Sequence, residues 1–331
     1  MIATKLSKSS NKLKLLLVGL LSLCLLPNFL LVQRISEEVQ ISLLKPTIYA
    51  RIEEKEIIHE NEIDWSDAIF KRQGWDIDPI VIESHKLVFF TVPKTACTVF
   101  KKLFRIMMGY DDWLTKHPHD PSINGLKYLG NFSRDEQVTM MTSPDWTRAI
   151  FVRNPLERTL SAYMDKGLKD RGYFVKLHCY YLLNNTADFC RKPPFSPFDF
   201  PMNSTNFPFE NFVDQILPEC KDPHWNPQYN RLQNSSNWKL INFVGKLENK
   251  MADTHMMLKQ IGAFEEFGAV GWGEFHNESI FQSNRAVHQT GSSNKMAQHY
   301  TPYLRKRVVE HYRKDYELFD FTIPLDMESA V

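Results

Sequence analysis

One junction restricts the fold of this chain more than any other: from Lys86 the sequence reads KLVFFTVPKTACTVFKKLFRIM. Its first part is short, apolar and rich in β-branched and aromatic residues, which predicts a strand buried on both faces. Its last part carries Val99, Phe100, Leu103, Phe104, Ile106 and Met107 at helical spacing. A strand that passes within a few residues into a helix brings the helix's first backbone amides to the strand's end, where they and the helix dipole act like roughly half a positive charge. Between the two lie Pro93, Lys94, Thr95, Ala96, Cys97 and Thr98, which add one ammonium and two hydroxyls to those amides. An anion site is predicted here. A GxxxxGKS or GxxxxGKT loop is absent and no paired acid for magnesium stands out, which argues against a nucleoside triphosphatase.

The unit recurs. RAIFVR (148–153) predicts a second buried strand, and Asn154-Pro155 opens the helical stretch ERTLSAYMDK, with proline at the start of its first turn. NFVGK (242–246) predicts a third strand, followed by a helix over 249–261, and a last helix spans 303–319. Strands alternating with helices predict an α/β, P-loop-like three-layer fold with a central parallel sheet flanked by helices. Arg153 ends the second strand and Ser161 lies up the following helix, so a guanidinium and a hydroxyl could clamp a second phosphate. A loop for one phosphate and an arginine for another suit a nucleotide phosphorylated at two separate positions. The proline- and asparagine-rich stretches 110–145, 167–206 and 264–298 read as loops, which at such length are more often functional than idle.

Ahead of this body, Lys5, Lys8, Lys12 and Lys14 precede the uncharged run LLLVGLLSLCLLPNFLLV (15–32), which at about 1.5 Å per residue reaches roughly 27 Å as a helix. Positive charge on its N-terminal side predicts a signal-anchor transmembrane helix, with a cytosolic tail (1–14) and a translocated body. The run exceeds the roughly 7–15 apolar residues of a cleaved signal peptide, and no small-x-small cleavage site follows it. Pro27 is tolerated in a membrane helix. Sequons at Asn131, Asn184, Asn203, Asn234 and Asn277 agree with a lumenal body, where disulfides also form. Residues 33–80, charged around EEKEIIHENEID, read as a stem, 81–322 as the lumenal domain and 323–331 as a C-terminal tail. Of five cysteines, Cys24 lies in the membrane run and Cys97 in the first loop. One bridge is expected among Cys179, Cys190 and Cys220, with the pairing open.

Composition excludes several classes. Forty basic against 39 acidic residues leave a net charge of +1, so no nucleic-acid-coating field is expected. No CxxC pair is present, which argues against a zinc ribbon or a thioredoxin-type site. His117-Pro-His119 has no third ligand nearby, so no metal is expected. A lumenal glycosyltransferase or kinase with a similar phosphate loop is the alternative. The former would usually need a DxD-like pair after a strand, and Asp111-Asp112 follows a helix.

These motifs together resemble a known family. FFTVPKTACTVF is similar to the 5'-phosphosulfate loop, and FVRNPLERTLSAY to the 3'-phosphate motif, of sulfotransferases that use 3'-phosphoadenosine 5'-phosphosulfate (PAPS). The resemblance is closest to Golgi carbohydrate sulfotransferases of the chondroitin 4-sulfotransferase and HNK-1 type. It extends to CKDPHWNP (220–227), FVGKLE (243–248) and YRKDYELF (312–319), in the family's order. Stretches 167–206 and 264–298 depart from the family pattern, which leaves the acceptor unassigned.

The resemblance implies a single-pass type II Golgi membrane enzyme that transfers the sulfuryl group of PAPS to a glycan hydroxyl, releasing 3'-phosphoadenosine 5'-phosphate (PAP). Lys94 would neutralise charge on the leaving oxygen, with Pro93, Thr95, Ala96, Cys97 and Thr98 lining the 5'-phosphate and sulfuryl group. Arg153 and Ser161 would hold the 3'-phosphate, and Thr290, Ser292 and Lys295 would close over the nucleotide. A neutral imidazole can take the acceptor's proton. His224 is the expected base, with His178 and Glu248 as runners-up. Arg158 reads as a salt-bridging helix residue, and the basic run Lys166, Lys169, Arg171, Arg191 and Lys192 could meet an acidic glycan.

Overall fold

The three apolar runs that the sequence marks as strands lie side by side in one sheet. The computed structural model describes residues 58–72, 76–168, 175, 179, 208–233, 235–269 and 292–324. The anchor run 15–32, His178, Cys190, Thr290, the sequons Asn184, Asn203, Asn234 and Asn277, and the basic residues Lys169, Arg171, Arg191 and Lys192 lie outside the described residues. Among the described residues, no helix is long and apolar enough to cross a membrane.

The strands are β1 (Ile80–Ile82), β2 (Leu87–Phe90), β3 (Thr147–Val152) and β4 (Phe243–Lys246), in the order β1-β2-β3-β4. β2 and β4 flank β3 in parallel, with Phe90 opposite Ile150 and Val152 opposite Lys246. The expected all-parallel sheet is corrected at one edge: β1 runs antiparallel to β2, with Ile82 opposite Leu87. The link between them is a single turn, Glu83–His85, closed by Lys86 at φ 46. Parallel pairing needs a crossover of about a dozen residues or more, so so short a link forces the antiparallel hairpin.

Both faces of the sheet are covered, which is why the strands read as continuous apolar runs. On one face, Phe89, Phe151 and Phe243 meet Phe100 and Phe104 of α1 (Cys97–Met107). Ring centroids lie 4.8 Å apart for Phe89 and Phe100 and 4.5 Å for Phe100 and Phe151. The same cluster takes Met257 and Leu258 from α5 (Lys250–Gln260). Gly245 is required there, because a Cβ would fall 2.4 Å from the Phe151 ring. On the other face Val88, Phe90, Ile150 and Val152 are wholly buried. Arg148 shares that face and donates to the carbonyls of Leu240 and Ser143, fastening the strand's start to its cover.

Residues 110–145, read as loop, contain α2 (Arg134–Thr142), whose start was legible in the capping box Ser133-x-x-Glu136. α3 (Pro155–Ala162) passes into a π-helical turn, Tyr163–Leu168. α4 comprises the consecutive turns Phe209–Asn211, Phe212–Ile216 and Leu217–Glu219. α6 (Phe264–Phe267) and α7 (Ser292–His299) follow. The last helix is divided into α8 (Pro302–His311) and α9 (Arg313–Phe319), with Tyr312 at φ −106, ψ 21 between them. α3, α4, α8 and the disulfide Cys179–Cys220 share a second core around Leu160, Phe212, Trp225 and Val308. Packing begins inside the stretch read as a stem. Ile58, Ile63, Ile69 and Phe70 are buried, and the amide of Asp64 donates to Asn237 at 3.0 Å.

Candidate active site

The loop after β2 turns into α1 through an unusual backbone. Lys94 and Ala96 both have positive φ, 70° and 59°, where side chains other than glycine's are strained by roughly 1–2 kcal/mol each. Ala96 occupies the N-cap and supplies no side-chain cap to α1. The first amides of a helix have no acceptor within it, and an uncapped end of this kind can receive an anion. Thr95 turns inward, its hydroxyl donating to the Val92 carbonyl at 2.6 Å. Cys97 is a free thiol in the first turn.

Lys94 folds over to Asp165, 3.1 Å away, in the π-helical turn after α3. Its side chain is only 9% exposed. Burial holds the Lys94 ammonium below its ordinary value, and the charge of Asp165 opposes that fall. Lys166 lies 3.5 Å from the same carboxylate. Burial pushes Asp165 up, yet Lys94, Lys166 and the nearby His224 together hold it below the usual carboxylate value. Thus Lys94, Asp165, Lys166 and His224 share one electrostatic neighbourhood, although 130 positions separate the first from the last.

His224 is set by its own motif. Its Nδ1 lies 2.6 Å from Oδ1 of the buried Asp222, and its amide donates to the same oxygen at 2.8 Å. Burial lowers the His224 pKa; Asp222 works to raise it, and Lys166 and Lys94 add to the fall. The Asp222 carboxylate favours the tautomer protonated at Nδ1, which leaves Nε2 as the basic nitrogen. Trp225 behind it donates to the carbonyl of Cys220, and the Cys179–Cys220 bridge anchors that segment. This bridge resolves the pairing the sequence left open.

The loop after β3 is held differently. Arg153 closes the strand and sends one guanidinium nitrogen to the Lys94 carbonyl at 3.3 Å and another to Glu157 at 3.0 Å. The two strand-end loops therefore touch. Gln228 fixes the Arg153 backbone by accepting from its amide and donating to its carbonyl, each at 2.8 Å. Asn154 caps α3 by accepting from the Leu156 amide, and its own amide donates to Glu248 at 2.6 Å. Glu248, a runner-up for base, is engaged in holding this loop. Burial raises its pKa first, and the neighbouring Glu157 adds to the rise. Ser161 is buried at the end of the second turn of α3.

Arg158 departs from its reading as a salt-bridging residue. Its guanidinium is buried and donates to three backbone carbonyls, Pro93, Asn226 and Pro223, at 3.1, 2.8 and 2.9 Å. It thereby pins the Lys94 loop to the His224 loop. His119 was likewise missed as a site residue: its Nε2 lies 2.8 Å from the Thr98 hydroxyl and its Nδ1 2.9 Å from Asp76. In the sequence Arg158 stood out only as a helix residue, and His119 only as half of a His-Pro-His pair weighed for a metal. Lys295 is exposed on α7, one turn before His299, whose ring packs edge-on to Tyr163 and Phe209; Ser292 opens the same helix. Among the described residues, no group of three or more His, Cys, Asp or Glu side chains is placed to hold a metal ion.

Comparisons with known proteins address the family of the chain. Carbohydrate sulfotransferase 9 of Homo sapiens is 26% identical over 252 residues, covering 74% of this chain and 53% of that protein. Carbohydrate sulfotransferase 8 of Mus musculus is 26% identical over 252 residues (74% and 56%). Carbohydrate sulfotransferase 11 of Rattus norvegicus is 25% identical over 264 residues (74% and 67%). The chain spans about half the length of the first two. No solved structure gives a significant match. The profile of the Sulfotransferase family matches residues 78–322, from just before β1 to just past α9, and the chain belongs to that family.

Proposed function

We propose that this chain is a Golgi carbohydrate sulfotransferase, transferring the sulfuryl group of PAPS to a glycan hydroxyl by in-line displacement with a general base. The observation that carries the reading is the meeting of the two strand-end loops. A buried ammonium and an uncapped helix N-terminus lie on one side, and a guanidinium from the adjacent parallel strand reaches the first loop's backbone. Such a donor set fits an anion carrying phosphate at two separate places. When bound, PAPS supplies the sulfuryl group and a nucleotide phosphate as leaving group. Lys94 offers its proton and charge to the leaving oxygen, and the amides of Cys97 and Thr98 with the Thr98 hydroxyl line the same anion. Arg153 and Ser161 hold the 3'-phosphate, and Thr290, Ser292 and Lys295 are assigned to the nucleotide from the sequence motif alone.

His224 takes the proton of the acceptor hydroxyl. Burial lowers its pKa and so favours the neutral imidazole, Asp222 favours the Nδ1–H tautomer, and such a base contributes about 10² to 10⁴ in rate. The printed names of the relatives support a carbohydrate acceptor. The apolar run 15–32 and the sequons support a type II Golgi membrane protein with this domain in the lumen.

Calorimetry of PAP binding to the full chain in detergent tests the donor site. PAP is expected to bind, with ADP weaker by about tenfold or more, since a guanidinium–phosphate bond contributes roughly 1.5–3 kcal/mol. Arg153→Ala should remove that preference. A folded chain that binds neither nucleotide, or both equally, would overturn the reading.

A further inference from the structure

The site described above does not account for a second chain of polar groups behind it. Lys101 of α1 is buried and ion-paired with Asp76; Asp76 faces Nδ1 of His119 at 2.9 Å; and Nε2 of His119 faces the Thr98 hydroxyl at 2.8 Å. Burial pushes the Asp76 carboxyl up, but the hydrogen bond to His119 and the charge of Lys101 outweigh it and hold it below its ordinary value. Asp76 is therefore a carboxylate and can only accept. The proton of a neutral His119 must then lie on Nδ1, and its bare Nε2 can only accept from Thr98. In that state the Thr98 hydroxyl spends its hydrogen on His119 and turns lone pairs toward the helix N-terminus. An anion there would meet an acceptor.

A second proton on His119 reverses the direction. The imidazolium donates from both nitrogens, one to Asp76 and one to Thr98, and the Thr98 hydrogen is released toward the anion. The charge of the imidazolium also falls within one residue's reach of the cradle. We propose that His119, anchored by Asp76, is a positioning residue that sets the hydrogen-bond direction of Thr98, so that binding of a phosphorylated nucleotide at this loop takes up a proton on His119. The inference rests on the reading of the Thr98 loop as the donor site. Other groups face His119 and bear on its charge. Asp76 favours the imidazolium, and Lys101 opposes it while being largely neutralised by Asp76. His117 meets it edge-on, ring centroids 5.9 Å apart, and would oppose it once charged, while Asp120 follows it in the chain and favours it. Tyr128 stays neutral nearby, its pKa pushed up to about 12 by burial.

The test is calorimetry of PAP binding to the full chain in buffers of different ionisation enthalpy, from pH 6 to 8, which counts protons taken up. The phosphates of PAP themselves titrate near pH 6, so the quantity read is the difference between the wild-type chain and His119→Gln, whose amide cannot titrate. The wild type is expected to take up as much as about one proton more, and its affinity to fall by up to about tenfold more per pH unit. Thr98→Val should erase most of the binding difference between the wild type and His119→Gln, and His224→Gln should leave it in place. Equal proton uptake by the wild type and His119→Gln, with PAP bound to both, would overturn the proposal and leave the donor site standing. No PAP binding by a folded wild-type chain would overturn the donor-site reading and this inference with it. A second measurement needs no nucleotide. The nitrogen-15 shifts of His119 at high pH are expected to show the Nδ1–H tautomer, and the Nε2–H tautomer would overturn the proposal.

Discussion

Two strand-to-helix junctions sit side by side in this molecule, built from the same elements and finished in opposite ways. At the β3–α3 junction the backbone is satisfied from within. Asn154 caps the helix, Pro155 opens it without needing an acceptor, Gln228 takes both polar groups of Arg153, and Glu248 takes the Asn154 amide. At the β2–α1 junction no side chain caps the helix, and Lys94 and Ala96 are held in the left-handed region. Strain of that kind persists only where the surroundings impose it, and it gathers at binding and catalytic loops. Under the proposed function, the difference divides the labour: the first loop would meet the anion with backbone amides, and the second would serve as a rigid mount for one side chain, Arg153.

Arg158 joins the two, so removing it should have the largest effect on the whole arrangement. Arg158→Ala would leave the carbonyls of Pro93, Asn226 and Pro223 without their donor, at about 1–3 kcal/mol for each that stays dry. A loss of about 3–4 kcal/mol in urea unfolding is expected. Arg158→Lys should recover little of it, since an ammonium cannot reproduce the fork. A loss under about 1 kcal/mol would mean the loops hold each other without it.

Next in size is the chemical asymmetry between the loops. Lys94→Ala should lower kcat by about 10² to 10³, the usual effect of removing one fixed donor at a developing charge, with PAP affinity changed far less. Arg153→Ala should do the reverse, weakening PAP while sparing kcat at saturation. Measuring transfer from PAPS to a panel of glycans, with PAP binding in parallel, separates the two. Similar patterns for both variants would dissolve the division of labour.

The pH profile sharpens the same contrast. Asp222 raises the His224 pKa against burial, so Asp222→Asn should lower it further and move the acid limb of kcat/KM to lower pH. Asp165 raises the Lys94 pKa against burial, so Asp165→Asn should let Lys94 lose its proton sooner and move the alkaline limb to lower pH. Both limbs thus shift in one direction, each with its own variant. A limb that stays in place in its variant would detach that residue from the chemistry.

How much of this was legible beforehand follows from distance along the chain. The strands and α1 were visible because β2 is apolar throughout and β3 and β4 carry short apolar cores, Ala149–Val152 and Phe243-Val244. Lys94 and Arg153 could be picked out because each lies in the short link between a strand and the helix that follows it. The antiparallel edge was hidden because Ile80–Ile82 is only three residues long and its hairpin turn, ESHK, carries no glycine. The partners of Lys94 were out of reach: Asp165 lies 71 positions away in a π-helical turn that no local pattern announces. Arg158 misled for a physical reason. Helical spacing suggests a surface pair, and only the packed structure shows three carbonyls converging on its guanidinium.

The smallest expected effect tests the contrast at its root. Asn154→Ala removes an N-cap and should cost about 1 kcal/mol of stability, within the usual 0.5–2 kcal/mol for such caps. Ala96→Gly touches the matching position of the other loop, where the residue stands at φ 59. Glycine there relieves roughly 1–2 kcal/mol of left-handed strain and gives back about 0.5–1 kcal/mol through the greater freedom of the unfolded chain. A gain of up to about 1 kcal/mol is therefore expected, opposite in sign to the Asn154 variant. The same substitution should weaken PAP binding slightly, because a looser turn must be ordered when the anion arrives. Thermal unfolding of the two single variants decides it. If Ala96→Gly loses as much stability as Asn154→Ala, the first loop is held as comfortably as the second, and its backbone carries no strain for an anion to exploit.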